Sequence, residues 1–397
     1  MGELRDESAF DTRAVHAGRA DMTDVHAPPL DLSTTYPLHD VESGGAAYEA
    51  LGAGLGPTPE GGPLYARAWN PTVARFEEGL AALEGTTHAV AFASGMAATT
   101  AAVLASRARG GHHVVAIRPL YGGTDHLLGL GFLDVESTYV DPHPDTRVVA
   151  KAVSDALRPD TGLIVAETPG NPTLDLIDLD VLVDAAGDVP VMIDNTFATP
   201  VLQNPAAHGV RLVMHSATKY LGGHGDVMGG VIATDEDWAA TLRQVRIITG
   251  SLLHPLGGYL LHRGLPTLPI RVRAQQSGAE QVARWLGDQP QVLEVFYPGV
   301  HDPQGLIGRQ MRGPGAMLSI RVRGGFEGAA TMLSRLKMIT HAVSLGGVDT
   351  LAQHPAALTH RPVPDDARPT DDLVRFSIGL EDPADIIADI DQALGYS

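Results

Sequence analysis

The segment His215-Ser216-Ala217-Thr218-Lys219-Tyr220 sets one amine, Lys219, beside the hydroxyls of Ser216 and Thr218, directly after the apolar run Leu212-Val213-Met214. Upstream, Asp194 ends a second apolar run, Val189-Pro190-Val191-Met192-Ile193. This pattern suits the capture of an aldehyde that carries a phosphate and a pyridine ring. Lys219 would form a Schiff base with the aldehyde. The two hydroxyls would bind the phosphate. Asp194 would keep the ring nitrogen protonated, so that the ring accepts electrons from a carbanion. Those requirements describe pyridoxal 5′-phosphate (PLP). A single lysine at a strand end is more often a surface charge, and only its combination with Asp194 and the segments below favours the cofactor.

Four further segments have the right chemistry. Ala89-Val90-Ala91-Phe92-Ala93-Ser94-Gly95-Met96 reads as a strand, a sharp turn and a helix start, with Ser94 as N-cap. Gly95 lets backbone approach an anion at the helix N-terminus. By itself this is an ordinary strand-to-helix turn. With Ser216 and Thr218 it supplies the other half of a phosphate cup. Tyr121, in Leu120-Tyr121-Gly122-Gly123-Thr124, follows another strand. It could stack on the cofactor ring and exchange protons, or simply pack in a turn. Asn171, in Glu167-Thr168-Pro169-Gly170-Asn171-Pro172, could donate to the cofactor and to a substrate carboxylate. Arg375 lies between apolar neighbours in Leu373-Val374-Arg375-Phe376-Ser377. It is either on a solvated face or, if buried, a bidentate partner for an amino-acid carboxylate.

The elements that must position these residues are legible in outline. With 397 residues, two or three structural units are expected. Residues 1–70 are rich in Gly, Pro and His and read as an N-terminal arm, with residues 52–63 as loop. In residues 71–260, short apolar strands at 89–93, 113–117, 163–167, 189–194, 212–215 and 230–233 alternate with helices at 72–84, 146–157 and 179–186. That predicts a mostly parallel, doubly wound sheet in a large cofactor-binding domain. Active sites of such sheets lie beyond the C-terminal strand ends. Residues 261–397 predict a smaller α+β domain, with strands at 317–322 and 373–378, helices at 329–338 and 385–394, and a surface loop at 362–369.

Composition removes several function classes. Hydrophobic residues make up 44% of the chain, as in a packed globular protein, and the net charge is −19. The acidic balance argues against nucleic acid and anionic membranes as partners, while a few local donors can still hold a small anion. No cysteine is present, so disulfides, thiolate catalysis and Cys-based metal sites are excluded. The 17 histidines show no metal-ligand spacing, so no metal is expected. The polar start Met1-Gly2-Glu3-Leu4-Arg5-Asp6-Glu7 does not read as a signal peptide, and no stretch reads as a membrane span. A cytoplasmic protein is the expectation.

Taken together, Tyr65-Ala66-Arg67…Asn70-Pro71-Thr72, Ser94-Gly95-Met96-Ala97, Tyr121-Gly122-Gly123-Thr124, Glu167 to Pro172, Asp194-Asn195-Thr196-Phe197, Ser216 to Tyr220, Ser344-Leu345-Gly346-Gly347 and Arg375 resemble, in order, the PLP enzymes of cysteine and methionine metabolism. That family includes cystathionine γ-synthase, cystathionine γ-lyase and methionine γ-lyase. The resemblance implies an α/β, aspartate-aminotransferase-like (fold type I) chain and a homotetramer of two active dimers. It implies that Tyr65 and Arg67 reach the phosphate of the neighbouring subunit's cofactor. Gly95, Met96, Ser216 and Thr218 would complete the cup, and Asp194 with Thr196 would serve the ring. Asn171, Ser344 and Arg375 would hold the substrate carboxylate.

The resemblance further implies γ-elimination from a sulfur amino acid, giving 2-oxobutanoate, ammonia and a thiol. The alternative is γ-replacement on an O-acyl-homoserine. Val343 stands where several cystathionine-handling members carry a glutamate. With Gln353-His354-Pro355-Ala356 it resembles the methionine γ-lyases, whereas Gly123 and Gly346-Gly347-Val348 depart from them. The insertion at 52–62 lies at the expected site entrance.

Overall fold

The structure is a computed structural model and describes residues 8–19, 25–361, 363–364 and 367–395. The polar start at Met1–Glu7, and Pro362, Asp365 and Asp366 of the expected surface loop, lie outside the described residues. Chain contacts divide the protein into two compact units, one of residues 1–111 with 204–269, the other of 112–203 with 270–397.

In chain order, strands β1 (His88–Phe92), β2 (His113–Ile117), β3 (Glu136–Val140), β4 (Thr161–Glu167), β5 (Val191–Asp194), β6 (Leu212–His215) and β7 (Gly230–Thr234) alternate with helices. The first unit holds β1, β7 and β6, with β7 between the others and antiparallel to both. The second holds β5, β4, β2 and β3, all parallel. It also contains β8 (Val292–Phe296), β9 (Met317–Val322), β10 (Thr340–His341), β11 (Leu351–Gln353) and β12 (Leu373–Ser377). These form a second sheet in the order β10-β11-β12-β9-β8, antiparallel except for the β10–β11 pair. Apolar strands alternating with helices give the α/β class expected of the sequence.

Local chemistry accounts for the elements. The helix Pro71–Glu84 starts where Asn70 accepts the N–H groups of Thr72 (2.9 Å) and Val73 (3.2 Å), with Pro71 at its first position. Gly85 ends it at φ 75°. Its Val73, Phe76, Leu80 and Leu83 are buried, as their helical spacing predicts. Burying a side chain of this kind contributes about 1.5–3 kcal/mol each.

Four elements differ from expectation. The arm contains helices Phe10–His16 and Val41–Gly52. The second is rich in Gly and Ala and lacks an apolar stripe, but Asp40 caps it by accepting the Ser43 N–H at 2.7 Å. Strand β3, Glu-Ser-Thr-Tyr-Val, is partly exposed and polar, so it lacks the all-apolar run of its neighbours. Strand β8 is likewise partly exposed.

Candidate active site

In the first unit, β1 runs into Ser94, whose hydroxyl accepts the Ala97 N–H at 3.1 Å and starts the helix Gly95–Ala108. That cap satisfies the third N–H of the helix. The N–H groups of Gly95 and Met96, at the first two positions, have no partner within the helix, and such groups favour anions. Two other segments press on this turn. A Cβ on Gly95 would stand 2.9 Å from the Ser216 Cβ and 3.1 Å from its Oγ. A Cβ on Gly230 would stand 2.1 Å from the Ser94 carbonyl. Ser216 and the start of the Gly95 helix thus share one tight corner that leaves no room for a side chain at position 95.

Lys219 follows in a turn closed by its own N–H to the Ser216 carbonyl (3.1 Å). It is half-buried. Beneath the turn, His215 Nε2 meets Glu84 Oε1 at 2.6 Å, both side chains buried, and Asn204 donates to Glu84 Oε2 at 3.2 Å. The Thr218 hydroxyl accepts the Gly229 N–H at 3.0 Å and lies 3.2 Å from the Gly229 carbonyl. Thr218 therefore anchors the Lys219 turn to the segment leading into β7. Tyr65 is exposed, and Arg67 donates to the Ile247 carbonyl at 2.7 Å with its guanidinium 5.7 Å from the Tyr65 ring centroid.

In the second unit the strand ends carry a second cluster. Glu167 and Asp194 are register partners at the ends of β4 and β5. Asp194 Oδ1 accepts the Thr196 N–H at 3.0 Å and also its hydroxyl. Thr196 thus orients the Asp194 carboxylate. Glu167 is buried and accepts the Tyr121 N–H. Burial first, and then the neighbouring Asp194, push the Glu167 carboxyl well above the ordinary carboxylate range. The Tyr121 side chain itself is exposed.

Arg375 is buried, which settles the choice between a solvated and an enclosed guanidinium. Its Nη1 donates to Asn171 Oδ1 at 2.8 Å and its Nη2 to the Ser344 carbonyl at 3.1 Å. With the Gln353 amide turned so that Oε1 faces the guanidinium, that oxygen accepts from Nη2 at 2.8 Å and Nη1 at 3.2 Å. Neutral oxygens thus fix the plane of the cation. Ser344 holds φ at 90°, a left-handed backbone that a side chain resists, and so presents its carbonyl to Arg375. Val343 beside it is exposed. His360, also buried, sits near Arg375; burial first, and then that cation, bring its imidazole down to about 4.

Sequence reasoning did not assign Glu167, Gln353 or His360. Each lies within or beside a segment that carries the family resemblance, but nothing in a linear sequence reveals that they point at Tyr121 or Arg375.

Comparison with known proteins places the chain in a family. Residues 11–395 match the model of the Cys/Met metabolism PLP-dependent enzyme family. An L-methionine gamma-lyase of Brevibacterium aurantiacum is 54% identical over 391 residues, 98% of this chain and 94% of that protein. A cystathionine gamma-synthase of Mycobacterium bovis is 40% identical over 97% of this chain and 96% of its own length. The crystal structure of metB from Corynebacterium glutamicum superposes with a TM-score of 0.87 at 35% identity, covering 98% of this chain and 99% of that one. By the family match over nearly its whole length, the chain belongs to the PLP-dependent enzymes of cysteine and methionine metabolism, and pyridoxal 5′-phosphate is its cofactor.

Proposed function

We propose that the enzyme is a γ-eliminating carbon–sulfur lyase that acts on methionine in preference to cystathionine. With water it converts methionine to 2-oxobutanoate, ammonia and methanethiol. The observation that carries an amino-acid substrate is Arg375, buried and oriented by Asn171, Ser344 and Gln353 for a bidentate carboxylate. The 54% identity to a methionine gamma-lyase, against 40% to a cystathionine gamma-synthase, supports elimination. A γ-replacement transferase is the second reading, and likeness to that synthase favours it.

The cofactor, when bound, withdraws electrons from the substrate carbon skeleton. Family membership supports the residue roles that follow. Lys219 holds it covalently and then moves protons at Cα and Cβ. The N–H groups of Gly95 and Met96 bind its phosphate with Ser216 and Thr218, and Tyr65 and Arg67 bind the phosphate of a neighbouring subunit. Asp194, oriented by Thr196, keeps the ring nitrogen protonated. Tyr121 stacks on the ring and exchanges protons, and Asn171 with Arg375 and Ser344 orients the substrate. Val343 lines the γ-position. Residues 1–70 serve as an arm, 71–260 as the large cofactor-binding domain and 261–397 as a smaller C-terminal domain. The assembly is a homotetramer of two active dimers in the cytoplasm.

The deciding experiment measures 2-oxobutanoate release from methionine and from cystathionine, and thiol-dependent product formation from O-acyl-homoserines. Turnover that requires an added nucleophile would assign the transferase instead.

A further inference from the structure

Glu167 ends β4 and is buried, yet none of the roles above uses it. Its carboxyl accepts the N–H of Tyr121, the residue that opens the helix Gly122–Gly129 and has no side-chain cap of its own. The backbone N–H of Asn171 also faces it and favours its charged form. One carboxyl therefore meets the backbone of two loops, the one after β2 that carries Tyr121 and the one after β4 that carries Asn171. The first loop is closed from its other side as well, since a Cβ on Gly122 would lie 2.0 Å from the Thr359 carbonyl. Asn171 in turn holds Arg375.

We propose that Glu167 is a positioning residue that fixes the spacing of Tyr121 and Asn171 by taking both backbone N–H groups on one buried carboxyl. A strand-end acid with a purely structural role would stabilise β4 without reference to either loop. Glu167 instead faces the two residues that meet the ring and the substrate. Burial first, and then Asp194, raise its pKa, while the two backbone N–H groups oppose that shift by favouring the charged, better-accepting form. The inference rests on the reading that Tyr121 contacts the cofactor.

The test is a double-mutant cycle read as the Kd of the apoenzyme for PLP, followed by the cofactor absorbance. Glu167→Gln leaves one oxygen for one N–H and turns an amide NH2 toward the other. In the wild-type background it should weaken PLP binding about tenfold to a hundredfold. In a Tyr121→Ala background the same change should cost less than about threefold, because the positioned group is gone. Equal losses in both backgrounds, or no loss in the wild-type background, would overturn the proposal. If Tyr121→Ala alone leaves the Kd unchanged, the assignment of Tyr121 fails, and this inference with it. Should Glu167→Gln not fold, Glu167→Asp, which keeps the carboxyl but not its reach, runs through the same cycle under the same criteria. The KM for methionine reads the Asn171 arm separately and should rise in Glu167→Gln.

Discussion

Gly95 lies so close to Ser216 that a β-carbon at position 95 would stand 2.9 Å from the Ser216 Cβ. The helix start and the Lys219 turn therefore share one corner that only glycine permits. Gly95→Ala must displace Ser216 or tilt the helix, and overpacking of this kind costs about 1–3 kcal/mol. PLP binding to the apoenzyme should weaken about fivefold to a hundredfold. Titration of apoenzyme with the cofactor checks this, and an unchanged Kd would remove the corner from the phosphate site.

Lys219 is the expected point of covalent attachment. The purified enzyme should be yellow, and borohydride should fix the cofactor to one peptide containing Lys219. Lys219→Ala should lose about a hundredfold to ten-thousandfold in kcat, the range expected for loss of a positioned proton-transfer group. Peptide mapping by mass spectrometry decides the assignment, and a labelled peptide without Lys219 counts against it.

Sharing of the site between subunits predicts complementation. Arg67→Ala and Lys219→Ala should each be nearly inactive. Mixed, dissociated and reassembled, they should regain part of the activity, because some hybrids hold one intact site. No recovery in hybrids shown to have formed would place Arg67 outside a shared site.

Val343 sets the substrate preference in the proposed reading. An aliphatic side chain cannot bind the distal ammonium of cystathionine. A glutamate could, with a charged contact of about 1.5–3 kcal/mol. Val343→Glu should therefore move the ratio of kcat/KM values toward cystathionine by about tenfold to a hundredfold. The assay is 2-oxobutanoate release from both substrates, and an unmoved ratio would exclude this residue as the selector.

His360 gives a pH dependence of stability. Its folded-state value, about 4, lies below the ordinary 6.5. Between those values the unfolded chain binds a proton that the folded chain refuses, so stability falls as pH drops through this window. The contribution is about 3 kcal/mol when the window has been crossed. Above pH 6.5 both states are neutral at this position and it adds no slope. Urea midpoints between pH 7 and pH 4.5 should fall less steeply in His360→Gln than in wild type, and parallel curves would show that His360 does not carry the effect.

Much of this was legible in the sequence because the chemistry sits at strand ends. The apolar runs before Asp194 and Ser216 mark β5 and β6, and the hydroxyls beside Lys219 narrow the cofactor. Strand direction was not legible, because Gly230–Thr234 is as apolar as its neighbours yet runs antiparallel to both. The helix Val41–Gly52 escaped notice because Gly and Ala form no apolar stripe. The alternatives for Arg375 could not be separated by pattern either. A cation between apolar residues on a strand looks the same whether it is solvated or enclosed, and burial is a property of the fold. Glu167 was hidden for a similar reason, since its partner Tyr121 N–H is a backbone group that any residue type would supply.

The geometry around Ser344 separates two properties that mutations usually trade against each other. The left-handed backbone at Ser344 and its carbonyl bond to Arg375 are demanding, and most substitutions there would disturb the setting of Arg375. The adjacent Val343 side chain is exposed, so its identity places little demand on the core. Selection can therefore explore charge and size at 343 while the neighbouring peptide stays fixed. An evolving or engineered lineage could thus change its diet at one position without first acquiring a stabilising background.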